Sequence, residues 1–161
     1  MSPVGWALRP FHRYFDFEDR SPRREFWWFV LLLVSAHVLA ALIERGLGMP
    51  RIFLTYGPIR ILLGLATLLP TLGVAVRRLH DIGRSGWWVA ALYGVNAVTN
   101  GIFAVASASG GSTTAVWGSA AVQIAVLAVF GILCALRGTR GPNDYGPDPY
   151  GEHDDLEEVF A

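Results

Sequence analysis

Four stretches free of formal charge constrain this chain more than any other feature. They cover residues 26–43 (FWWFVLLLVSAHVLAALI), 61–76 (ILLGLATLLPTLGVAV), 87–106 (WWVAALYGVNAVTNGIFAVA) and 114–136 (TAVWGSAAVQIAVLAVFGILCAL). Eighteen helical residues at ~1.5 Å each reach ~27 Å, close to the hydrocarbon thickness of a bilayer. The second run is shorter, but Ile59 extends it and Arg60 can snorkel to the interface. A soluble four-helix bundle would need charged residues every three or four positions along its wet faces. The predicted fold is thus all-α: an integral membrane bundle of four transmembrane helices over residues 21–136. An interfacial segment over 1–20 precedes it, and a cap with an acidic tail over 137–161 follows it.

Charge is scarce and sorted. The chain is 16% charged, against roughly 25% in soluble domains. All 13 basic residues are arginine. Arg9, Arg13, Arg20, Arg23, Arg24, Arg77, Arg78, Arg84, Arg137 and Arg140 fall on one side of the predicted spans; only Arg45, Arg51 and Arg60 fall on the other. The positive-inside rule places both termini and the loop between runs two and three in the cytoplasm. The first 25 residues contain no apolar stretch of the kind a secretory signal needs. The lone Cys134 forbids an intrachain disulfide and a cysteine-based zinc site, and no cofactor or metal is expected.

The loop RRLHDIGRSGWW, residues 77–88, concentrates the polar chemistry. His80, Asp81 and Ser85 are the ingredients of a nucleophilic triad, but they crowd within six residues, and GRSGW lacks the second glycine of a G-x-S-x-G elbow. A structural reading accounts for them better. Asp81 pairs with Arg77 or Arg78 one helical turn earlier. Gly83 ends the second span in a left-handed cap, Ser85 caps the third, and Trp87 and Trp88 sit at headgroup level as Trp27 and Trp28 do. At the first span, Ser21 is the candidate cap and Glu25 sits near the positive end of the helix dipole. Pro70 and Gly73 predict a kink in the second span.

Arginines still outnumber carboxylates here. Arg23, Arg24, Arg77, Arg78 and Arg84 form a candidate site for an anionic headgroup, because guanidinium forks match phosphate oxygens bidentately. Glu25, His80, Asp81 and Ser85 are expected to form a supporting network. Asn143, Tyr145 and Asp148 belong to it if GTRGPNDYGPDPYG folds back over the membrane face, with Asp144 or Asp148 meeting the arginines. These aspartates do not have the spacing of a calcium loop. Within the spans, His37, Asn96, Asn100 and Gln123 are the deep polar side chains; His37 is expected to bond a neighbouring helix at one of the other three. In WALRPFHRYFDF, Phe11 and Phe15 share a face at helical spacing, which suits an interfacial segment rather than nucleic acid.

Three motifs, FDFEDRSPRREFWWF, RRLHDIGRSGWW and GTRGPNDYGPDPYG, occur in this order. Through them the chain resembles the small bacterial inner-membrane proteins grouped as domain of unknown function 805, over roughly residues 11–151. The resemblance implies a multi-pass inner-membrane protein and carries no defined activity. The expected function is non-enzymatic, with membrane lipids, a membrane-protein partner or a second copy as partners. The alternatives are a subunit or modulator of a larger membrane complex and a small transporter built around the intramembrane polar cluster.

Overall fold

A computed structural model describes residues 1–52, 56–108 and 113–150, with the side chains of 106–108 and 113–116 outside that description. The uncharged loop expected between the last two spans and the acidic tail beyond Tyr150 fall largely or wholly outside it. The described chain is all-helical: α1 (Pro3–His12), α2 (Arg23–Gly46), α3 (Pro58–Asp81), α4 (Trp87–Ala108) and α5 (Thr113–Ala135). Of these, α2 to α5 are long and apolar enough to cross a membrane.

Helix α1 starts where Ser2 accepts the Gly5 N–H at 3.1 Å and Pro3 takes the first helical position. It ends at His12, so Phe11 and Phe15 do not share its face as the spacing predicted. Phe11 packs edge-on against Phe29 of α2 at 5.5 Å, while Phe15 is exposed. Ser21 does not cap α2 either. The helix begins at Arg23 behind Pro22, and the buried Ser21 hydroxyl has no described partner. Its backbone is occupied instead, with the Ser21 N–H donating to the Arg77 carbonyl at 3.1 Å.

Pro70 lies inside α3. Its ring nitrogen has no proton, which frees the Ala66 carbonyl one turn earlier. The Tyr14 hydroxyl donates to that carbonyl at 2.9 Å, so the segment after α1 repairs the gap. At the other end of α3, Glu44 of α2 takes the capping role. It accepts the Arg60 backbone N–H at 2.9 Å and the Arg60 Nε at 2.6 Å, placing a carboxylate at a helix N-terminus.

The apolar core is a seam between α2, α3 and the end of α5. Phe26, Phe29, Val74 and Cys134 form one buried cluster; Ala75, Leu79 and Val89 form a second, and Phe130 packs against both. Among the described residues of α4 and α5, only Val89, Thr99, Ser119 and Cys134 are buried. Along most of their length these two helices face away from the rest of the protein, as lipid-exposed helices do.

Candidate functional site

The polar residues gather where α2 begins and where α3 and α5 end. A helix leaves its last carbonyls without intrahelical partners, and the sequence satisfies those of α3 and α5 in different ways. In α3, Gly83 has φ 71°; its N–H donates to the His80 carbonyl at 3.0 Å and the Arg84 N–H to the Leu79 carbonyl at 2.9 Å. This is the expected left-handed cap, in its Schellman form. The Asp81 carbonyl accepts the Thr139 N–H at 2.8 Å from the segment after α5.

In α5 the cap is made of arginine. Arg78 donates to the Cys134 carbonyl at 2.9 Å and to the Leu136 carbonyl, and Arg23 donates to the Ala135 carbonyl at 3.2 Å. Guanidinium groups there also complement the negative end of the helix dipole.

Around these caps lies a buried ionic cluster. Asp81 is flanked by Arg78 on its own helix and by Arg20, whose Nη2 lies 2.9 Å from Oδ1. Arg20 completes its fork on the carbonyls of Thr139 and Gly141, at 2.6 and 2.7 Å. Gly138 lets the chain pass directly over Asp81, where any Cβ would overlap the carboxylate. Arg77 is not the partner of Asp81. It turns to Glu25 of α2 at 3.1 Å and to the Asp16 carbonyl, and Arg9 approaches Glu25 from α1 at 3.4 Å. Next to the cluster, Arg13 bonds both Asp16 and Asp19. Although burial works against charge at both ends of the Arg13–Asp16 pair, hydrogen bonding and attraction hold Arg13 above its ordinary value and Asp16 below its own.

The segment after α5 folds back as the sequence predicted, but through other atoms. Asn143 donates to the His80 carbonyl at 3.0 Å, and the Tyr145 ring stacks on the His80 ring at 4.0 Å. Asp148 accepts the Gly141 N–H at 2.8 Å, closing a turn, and Asp144 is exposed; neither meets the arginine loop. Ser85 accepts the Trp87 N–H at 3.4 Å, a long version of the expected cap. The triad ingredients diverge: His80 directs Nδ1 to the Asp19 carbonyl at 3.4 Å, and Asp81 is held by arginines.

The expected headgroup site is therefore rearranged. Arg77 and Arg78 are fully buried, with their terminal nitrogens turned to Glu25, Asp81 and main-chain carbonyls and the Arg77 Nε enclosed without a partner, so neither presents an open fork. Arg84 is exposed and lies outside the cavity described next. Arg23 and Arg24 do stand in an open cavity of about 700 Å³, joined there by Arg137 and Arg140 beside Asp148 and Tyr150. The side chains of Arg24, Arg137 and Arg140 have no hydrogen bond or ion pair among the described residues. The sequence reading used Arg20, Arg137 and Arg140 only to orient the chain. Their position in the loops flanking the spans was the one signal available, and it did not say that those loops meet.

The intramembrane polar residues do not form one cluster. His37 bonds the Leu33 carbonyl of its own helix at 2.9 Å rather than a neighbour, since a free carbonyl lone pair one turn away is always within reach. Asn100 likewise turns back to Asn96 at 2.8 Å. Asn100 and Gln123 line a groove of about 240 Å³ between α4 and α5.

A family described as a protein of unknown function, DUF805, matches residues 14–147, and the chain belongs to it. The chain is similar to the inner membrane protein YhaI of Escherichia coli K12, with 38% identity over 85 residues, 52% of this chain and 66% of YhaI. It is similar also to the inner membrane protein YhaH of the same strain, with 33% identity over 85 residues, 53% of this chain and 69% of YhaH. The aligned part thus spans just under two thirds of YhaI. No solved structure matches the chain.

Proposed function

We propose, from membership of this inner-membrane family, that the protein resides in the bacterial inner membrane with both termini cytoplasmic. There its arginine cavity holds the phosphate of an anionic lipid headgroup. The observation that carries this reading is convergence. Arg23 and Arg24 at the start of α2 meet Arg137 and Arg140 after α5, more than a hundred residues later, around one cavity. The carboxylates in its wall are already engaged, Asp81 by Arg20 and Arg78 and Asp148 by the Gly141 N–H. The cavity is left with a cationic excess that suits phosphate oxygens.

A lipid is favoured over a free anion by what adjoins the cavity. A groove of about 350 Å³ shares Arg23 and Arg24 with it and continues along α2 over Trp27, Trp28 and Leu31. Tryptophan belongs at headgroup level and leucine below it, so the groove suits the start of an acyl chain. Each arginine near an anionic leaflet contributes on the order of 1 kcal/mol. The reading is of a binding protein, consistent with the separation of His80 from Asp81.

The test is native mass spectrometry of the intact protein released from nanodiscs that contain phosphatidylglycerol. Arg24→Gln, Arg137→Gln and Arg140→Gln together should abolish the retained anionic lipid, since none of the three braces the fold. Unchanged occupancy would overturn the reading.

A further inference from the structure

A second groove lies on the other flank of α3, shares no lining residue with the arginine cavity, and has the opposite chemistry. It is an open groove of about 440 Å³ between Leu72 and Val76 of α3, Phe17, and Val89 and Ala90 of α4, with His80, Ser85 and Trp87 at one end. None of its lining residues is charged, so it offers nothing to a phosphate. From His80 to Leu72 the helix descends ~12 Å at ~1.5 Å per residue, from the aromatic belt into hydrocarbon depth.

That end holds a fixed hydrogen-bond acceptor. His80 is 8% exposed and its ring is clamped face-on by Tyr145. The carbonyls beside the ring, those of Asp19 and Glu18, can only accept, and Asp19's meets Nδ1; a neutral ring that donates there carries its proton on Nδ1 and its lone pair on Nε2. Nε2 has no partner among the described residues. It lies at the groove wall, 3.5 Å from where a Cβ on Gly86 would stand. An acceptor that opens onto the groove without a donor of its own, above an uncharged apolar surface, suits a ligand with a hydroxyl at one end and a hydrocarbon chain at the other.

We propose that this groove binds a neutral long-chain lipid alcohol, such as a diacylglycerol or a polyprenol, whose hydroxyl donates to Nε2 of His80. The proposal stands independently of the arginine cavity.

The experiment uses the full chain in phosphatidylcholine nanodiscs with a diacylglycerol carrying a diazirine in one acyl chain. Photolysis and peptide mapping should place the adducts on residues 72–90. Unlabelled diacylglycerol or polyprenol should then compete, and whichever does identifies the source of the alcohol. The 3-O-methyl ether of diacylglycerol keeps the chains but cannot donate, and should compete about tenfold less well. In His80→Phe, which keeps a ring against Tyr145, the preference for alcohol over ether should vanish. Equal competition by ether and alcohol on the unmodified protein, or adducts spread over all four spans, would overturn the proposal even if the variant failed to fold.

Discussion

At the arginine-bearing end, Arg20, Glu25, Arg77, Arg78 and Asp81 are buried, whereas α4 and α5 bury four described residues between them and otherwise pack mainly on one another. The apolar spans would be satisfied in hydrocarbon in many relative positions, because lipid tails are as apolar as leucine. Buried charges are satisfied in one arrangement only, since each guanidinium needs its carboxylate and carbonyls in place. The contrast teaches that the apolar runs put this chain in the membrane, and the ionic cluster decides how α2, α3 and α5 meet there.

That contrast can be broken most directly at Asp81. Asp81→Ala leaves Arg20 and Arg78 buried without their carboxylate, and should cost about 3–5 kcal/mol of stability, read by unfolding in mixed detergent micelles. A cost near zero would mean that the cluster is incidental. Tyr145→Ala removes the stack on His80 and should cost about 0.5–1.5 kcal/mol in the same assay. On the lipid-facing side, Asn100→Leu gives up bonds made only within α4, and should change stability by less than about 0.6 kcal/mol. A large loss there would show that α4 and α5 depend on a polar contact.

The smallest expected effect is one of pH. Asp16 titrates below its ordinary value of 3.8 because Arg13 and the Glu18 N–H outweigh its desolvation. Its stabilisation is complete above the ordinary value and lost as pH falls through the depressed one. The melting temperature should fall slightly on acidification below about pH 4, and Arg13→Gln should remove that part of the slope. Asp16 is exposed enough for solvent to screen most of it.

The fold was legible because the period and length of apolar runs are local properties of a sequence. So were the Gly83 cap and the return of Asn143 and Tyr145, which turn residues announce. The site was legible only in part. The sequence groups Arg23 and Arg24 with Arg77 and Arg78, but only the first two line the open cavity; nothing local distinguishes them from the other pair, which faces the bundle interior. That facing is set by which helix ends meet, a property of tertiary packing. Arg20 shows the limit most clearly: its partners are the carbonyls of Thr139 and Gly141, more than a hundred residues away, and a main-chain acceptor has no sequence signature. His37 failed for the converse reason, since the nearest acceptor in its own helix competes with any partner across the bundle.

The carbonyls that cap Arg20 and Arg78 belong to Cys134, Leu136, Thr139 and Gly141. During synthesis these groups follow both guanidiniums, since Cys134 and the residues after it come later in the chain than Arg20 and Arg78. Until then Arg20 and Arg78 have the Asp81 carboxylate but not these carbonyls, and their remaining donors stay with water at the aqueous boundary. Assembly of the helical body is thereby timed by the arrival of α5, and a nascent chain arrested before Cys134 lacks the carbonyls that complete its centre.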